Sequence, residues 1–190
     1  AAEDTNGMLD IFVHDRQTGE TSRVSVASDG SQANGASYAP SISADGRYVA
    51  FETWASNLVP GDTNETDDIF VHDRQTGETT RISLSSDGSQ ADSYSYQAYI
   101  SANGRYVAFY SNATNLVAGD TNGFEDVFVH DRQSSETIRV SVASDGAQAN
   151  NHSSWASISA DGRYVAFKSL ASNLVTDDTN ETSDIFIHDL

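Results

Sequence analysis

The sequence contains no cysteine, so disulfides, thiolate catalysis and cysteine-held zinc are all excluded. Proline is nearly missing too, occurring at Pro40 and Pro60 alone. Positive charge is scarce: Lys168 and the arginines total 10 residues against 28 acidic ones, for a net charge of −18. Such a field repels nucleic-acid phosphates and anionic lipid, so neither a nucleic acid nor a membrane is an expected partner. No apolar run approaches the ~20 residues of a membrane-spanning helix. No Gly-x-Ser-x-Gly nucleophile motif and no phosphate-cradling glycine loop occurs. What remains is an acidic chain of 190 residues, long enough to bury a core.

What is present is repetition. The segment Asp10–Asp15 returns at Asp68–Asp73, Asp126–Asp131 and Asp184–Asp189, each copy 58 residues after the last. Ser43-Ala44-Asp45-Gly46-Arg47-Tyr48-Val49-Ala50-Phe51 recurs at Ser101–Phe109, with Asn103 for the aspartate, and at Ser159–Phe167. An ungapped period of this length marks a repeat architecture, with about three and a quarter units in the chain.

One unit reads as four strands. Strand A is expected around Ser41–Ser43, strand B at Arg47–Thr53, strand C at Asp68–Asp73 and strand D at Thr79–Ser85. The turns Ala44-Asp45-Gly46 and Gln75–Glu78 carry hairpin chemistry. Strand B is apolar on both sides, and Ile69-Phe70-Val71 does not alternate, so both strands are expected to be covered on two faces. Strand D alternates Ile82 and Leu84 against Arg81 and Ser83, which predicts one wet face. Four-stranded antiparallel sheets packed between neighbours, with an exposed outer strand, are the blades of a β-propeller.

Ser-x-Asp-Gly-Arg-Tyr-Val-Ala-Phe followed by Asp-Ile-Phe-Val-His-Asp-Arg-x-Thr-Gly-Glu-Thr-x-Arg resembles the PD40 repeat of TolB-like bacterial propellers. The resemblance spans essentially the whole chain; alanine stands in Ser-Ala-Asp-Gly where the family usually has proline. It implies an all-β propeller in a periplasmic or secreted setting, with any signal peptide absent from this chain. Function does not follow from it, since such propellers serve both as interaction scaffolds and as domains attached to enzymes.

The expected units are 1–38 (strands C and D of a split blade), 39–96 and 97–154 (two blades), and 155–190 (strands A, B and C of a second split blade). Propellers need roughly four to eight blades, and open edges invite pairing. A homodimer giving six blades is therefore the expected partner arrangement, each final blade receiving strand D from the other chain. One copy of strand C is then spare at each junction. A piece of a longer array, natural or engineered, would carry the same ends.

The tight A–B and C–D turns belong to one face of the disc and the long B–C and D–A loops to the other, where binding residues concentrate. The B–C loops place Asp4, Asn6 and Asp10, then Asp62, Asn64 and Asp68, then Asp120, Asn122 and Asp126, and finally Asp178, Asn180 and Asp184 at equivalent positions. Oxygens so spaced suit a hard cation such as Ca²⁺, and equally close Asx turns with no metal. No cofactor is required by either reading. His14, His72, His130 and His188 recur in every unit, which favours a shared structural bond at the end of strand C over catalysis. The arginines at 47, 74 and 81 and their copies receive the same reading.

Residues that differ between units are the better candidates for a specific role: Tyr38, Trp54, Tyr94, Tyr96, Phe124, His152 and Trp155. Aromatics beside Asn, Gln and Asp suit a glycan or a peptide hot spot, or else plug the centre. The leading expectation is a non-catalytic scaffold that self-assembles through its split blades. The alternatives are an extracellular glycan-binding propeller, with or without Ca²⁺, and an accessory domain severed from a hydrolase or lyase.

Overall fold

The computed structural model describes residues 4–190. They form an all-β chain of 13 strands in one two-stranded, two four-stranded and one three-stranded sheet. The two-stranded ribbon is β1 (Phe12–His14) with β2 (Thr21–Arg23). The first full blade has strands β3 (Ser37–Ile42), β4 (Tyr48–Thr53), β5 (Asp68–Asp73) and β6 (Thr79–Arg81). The second is β7 (Ser95–Ile100), β8 (Tyr106–Ser111), β9 (Asp126–Asp131) and β10 (Glu136–Arg139). The last sheet holds β11 (Ser153–Ile158), β12 (Tyr164–Ser169) and β13 (Asp184–Asp189), three strands among the described residues. Each first strand thus begins two residues before the expected starts at 39, 97 and 155.

Strands B and C fall where the apolar pattern puts them, with Phe51 opposite Phe70 and Phe109 opposite Phe128. Their two-sided burial follows from one core per blade junction. Val49, Phe51 and Phe70 pack back onto Ile11 and Val24 of the ribbon. Ala50, Ile69 and Val71 pack forward onto Ile100, Val107 and Phe109 of the next blade. The same pattern repeats between the second blade and the last sheet. Each blade is a wall shared by two cores.

Three expectations are corrected. Strand A is longer than Ser41–Ser43, because a register shift between Tyr38 and Ser41 breaks the period-two pattern by which a strand is read. The shift recurs between Tyr96 and Tyr99 and between Ser154 and Ser157. Strand D stops at Arg81 rather than Ser85: the hydroxyl of Ser83 replaces a backbone acceptor, taking the Ile69 N–H at 3.2 Å and donating to Asp68 Oδ1 at 2.5 Å. Its polar side is not wet either, since Arg81 and Ser83 are both buried under the B–C and D–A loops.

The copies of strand A are innermost: β7 packs against β3 on one side and β11 on the other. Blades are also tied by the tight-turn backbone, Ala44 N–H donating to Ala102 O and Ala102 N–H to Ala160 O, both at 3.0 Å.

Candidate functional site

The long loops interlock on one face. Asn64 Nδ2 reaches Ala91 O at 3.0 Å and Asn122 Nδ2 reaches Ala149 O at 3.0 Å, so each B–C loop is stitched to the following D–A loop. The Asp/Asn triplets lie in this stitching. Asp62 and Asp68 share the guanidinium of Arg81, at 3.1 and 3.8 Å. Asp120 and Asp126 share that of Arg139, at 3.1 and 3.2 Å. Asp4 and Asp10 meet Arg23 at 3.5 and 3.0 Å. Burial pushes the Asp62, Asp68 and Asp120 carboxyls above the usual range, and the arginines pull them back. Asn64 turns its amide donor, not its oxygen, toward Asp68 at 3.0 Å. In the last loop Asn180 donates to Asp184 at 3.0 Å, while Asp178 lies beside it in an open groove. Among the described residues no group of three or more His, Asp or Glu side chains is arranged to hold a metal ion.

The recurring histidines link strand C to strand D. His72 Nδ1 lies 2.9 Å from Thr79 Oγ1, His130 Nδ1 2.8 Å from Thr137 Oγ1, and His14 Nδ1 2.8 Å from Thr21 Oγ1. Thr79 Oγ1 gives its one proton to Val26 O at 2.6 Å, so it must accept from the ring, which fixes the Nδ1–H tautomer of His72. Burial holds His72 and His130 below the ordinary value of 6.5, against the pull of Asp73 and Asp131. The unfolded chain therefore binds more protons, and this share of stability is present above 6.5 and lost as pH falls through that value toward the folded pKa. His72→Ala or His130→Ala is expected to cost about 1–3 kcal/mol, with no loss of ligand binding. Removing both rings should flatten the fall in melting temperature on acidification below about pH 6.5. An unchanged slope in the double variant would mean that other groups set it.

The chemistry that is not shared between repeats sits elsewhere, on the inner rim. Tyr94 and Tyr96 stack with ring centroids 6.0 Å apart, and Tyr96 meets Tyr110 at 5.4 Å. Phe124 and His152 make an edge contact at 5.0 Å, and His152 Nδ1 accepts the Glu125 N–H at 3.2 Å. Strand register explains the gathering. Tyr96 lies opposite Tyr110 across β7 and β8, and the Ser95 N–H donates to Asp67 O at 2.8 Å. Glu52 reaches across from the first blade, its Oε2 accepting the Gln97 N–H at 2.6 Å.

Burial raises Glu52 and Asp67 above the usual carboxylate range, each helped by a neighbouring aspartate. Tyr110 is pushed up to about 12, first by burial and then by Glu125 and Glu52. Tyr38, Trp54 and Trp155 stand exposed and join no ring contact with this group. Glu52, Gln97 and Tyr110 were absent from the sequence candidates. The signal for them was available: positions 52, 110 and 168 carry Glu, Tyr and Lys, and positions 39, 97 and 155 carry Ala, Gln and Trp.

No family model matches the chain, and no curated protein does. Solved structures do. TolB from Acinetobacter baumannii superposes with a TM-score of 0.54 at 20% identity, over 95% of this chain and 35% of that one. A prolyl endopeptidase gives 0.54 at 14% identity, over 95% of this chain and 24% of that one. An oligogalacturonate lyase described in complex with manganese gives 0.51 at 11%, over 99% and 43%. The chain thus spans well under half the length of each of these. The likeness establishes the fold alone, that of a β-propeller, of which the described residues form two complete blades and parts of two more.

Proposed function

We propose that the chain is a non-catalytic propeller module for protein association, in a periplasmic or secreted setting, and that a second copy completes its open blade. The observation that carries this reading is the bare face of β13. Ile185 and Ile187 are each 72% exposed, while their equivalents Ile69, Val71, Val127 and Val129 are at most 2% exposed. Burying two isoleucines is worth about 1.5–3 kcal/mol each. Other halves of repeated contacts stand open beside them. Tyr48 packs on Gly104 and Tyr106 on Gly162, whereas Tyr164 is 39% exposed and Gly46 has only Arg74 near it.

The strand that fits the β13 edge is β2 of a second copy. It carries Thr21 for His188 and Arg23 for Asp178 and Asp184, matching Thr79 and Arg81 in the complete blade. Within one chain β2 is held by β1 across three residue pairs, with Val24 beside it in the core of the first blade. Exchange onto the three-stranded sheet gives a six-bladed ring from two chains. Light scattering at micromolar concentration should give twice 20.4 kDa, and a stable monomer would sink the proposal. Deleting residues 1–16 should be tolerated better than deleting 17–28, because β1 has a substitute in β13 and β2 has none.

The Asp/Asn loops belong to this reading as arginine-clasped closures rather than cation sites. A cation bound to the folded state would stabilise by RT ln(1 + [L]/Kd), roughly 2.7 kcal/mol at a hundredfold excess over Kd. Calcium at millimolar concentration is expected to raise the melting temperature no more than sodium chloride of equal ionic strength. A calcium-specific rise abolished by Asp62→Asn with Asp68→Asn would reverse that assignment. Arg81→Met, by contrast, should destabilise by about 3–5 kcal/mol, because it strands two buried carboxylates.

A further inference from the structure

At the junction of the two complete blades, the inner-rim surface gathers carboxylates without arginine partners beside tyrosine rings. The carboxylates of Asp10, Asp62, Asp68, Asp73, Asp120, Asp126, Asp131 and Asp189 are each paired with an arginine. Among the described residues, Glu52 and Asp67 have no lysine or arginine within ion-pair distance, and Glu125 has only His152, at 3.8 Å. All three act electrostatically on Tyr96, and no basic side chain opposes them there. Partly desolvated carboxylates with no lysine or arginine partner thus lie near the rings of Tyr96 and Tyr110. Tyr94, at the outer end of the stack, is 44% exposed. Gln97 Oε1, on the strand that bonds Glu52, is buried with no partner.

We propose that this surface binds a cationic side chain, arginine or lysine, presented by an extended peptide segment of a partner protein. Tyrosine faces attract a cation through the ring quadrupole, and carboxylates at the ring edge complete its charge. A neutral sugar could stack on the same rings but would leave the three carboxylates uncompensated. Tyr94 is 44% exposed, so a small free amine would find little enclosure there. A longer chain gains further contacts along the rim, toward Phe124 and His152. The inference does not depend on dimerisation, because every residue in it lies within one chain and away from β13.

The test is fluorescence anisotropy with a labelled Gly/Ser peptide carrying arginine at alternate positions, and with its citrulline twin, which keeps the shape and loses the charge. The full chain should bind the arginine peptide and not the citrulline peptide. Tyr110→Lys and Tyr94→Ala install the residues the chain itself carries at equivalent positions, Lys168 and Ala36, so the framework accepts both. Each is expected to weaken binding by about tenfold, the worth of one well-placed cation–π contact. Glu52→Gln should do the same, while Glu78→Gln, an equal charge loss at an exposed turn, should not. Circular dichroism melts confirm that the variants fold. Equal binding of the citrulline peptide, or equal damage from Glu78→Gln, would overturn the proposal. Binding of maltohexaose lost in Tyr94→Ala, with no arginine-peptide binding, would reassign the surface to carbohydrate.

Discussion

Replacing both Ile185 and Ile187 with aspartate should yield a folded monomer, whereas Val71→Asp should yield no folded protein. All three positions lie on strand C and face the following blade. The difference is in what covers them. Val71 is 1% exposed, sealed by the second blade, so a carboxylate there would be buried without a partner, at a cost of several kcal/mol. Among the described residues nothing covers Ile185 and Ile187, so aspartate there should cost the fold of these 190 residues little. In the proposed dimer it would remove both apolar contacts and add two like charges to an already acidic protein. Sedimentation velocity reads the association and thermal melting reads the fold. Persistent dimers in the Ile185→Asp, Ile187→Asp variant would place the interface elsewhere.

The second large effect separates two glycines of the same turn. A Cβ at Gly104 would lie 2.1 Å from the ring of Tyr48, on a backbone with φ +73°. Gly104→Ala therefore combines left-handed strain of about 1–2 kcal/mol with overpacking of about 1–3 kcal/mol. Gly46 has nearly the same φ, +72°, but its Cβ would meet only Arg74 Nη1 at 3.7 Å. In an isolated chain Gly46→Ala should carry the strain alone. If Tyr164 of a second copy docks there, as Tyr48 docks on Gly104, the same methyl group should also block association. Melting curves and solution mass of the two variants distinguish these cases: a Gly46→Ala protein that still dimerises fully would exclude the Tyr164 contact.

The parts of the fold that were legible in the sequence are those where one physical requirement dominates. Strand C was readable because Ile69, Phe70 and Val71 are apolar without alternation, and both their faces are indeed covered. Strand A reads as shorter than it is because its bulge removes the alternation that identifies a strand. Strand D was drawn too long because Ser83 looks like a strand residue yet satisfies the ladder with its side chain.

The candidate site divides in the same way. Aromatic variation between repeats pointed to Tyr94, Tyr96, Phe124 and His152, which the structure brings together or near one another. It also pointed to Tyr38, Trp54 and Trp155, which stand apart. Glu52 was overlooked because a lone acid in a strongly acidic chain carries no signal until its neighbours are known to lack arginine. The regular Asp/Asn spacing suggested a cation, and only the fold shows which guanidinium reaches those oxygens.

Ala39, Gln97 and Trp155 occupy the bend of the strand A bulge, with φ of +48°, +46° and +55°. Regular pairing resumes just beyond, at Ser41, Tyr99 and Ser157. The bend takes that one residue out of the alternation, so neither sheet face dictates what it must be. A methyl group, an amide and an indole are all accommodated by the same backbone. Each blade thereby carries an address on the inner rim that can be rewritten without disturbing the walls behind it. A protein of this kind can acquire a new specificity one repeat at a time while the frame that displays it stays the same.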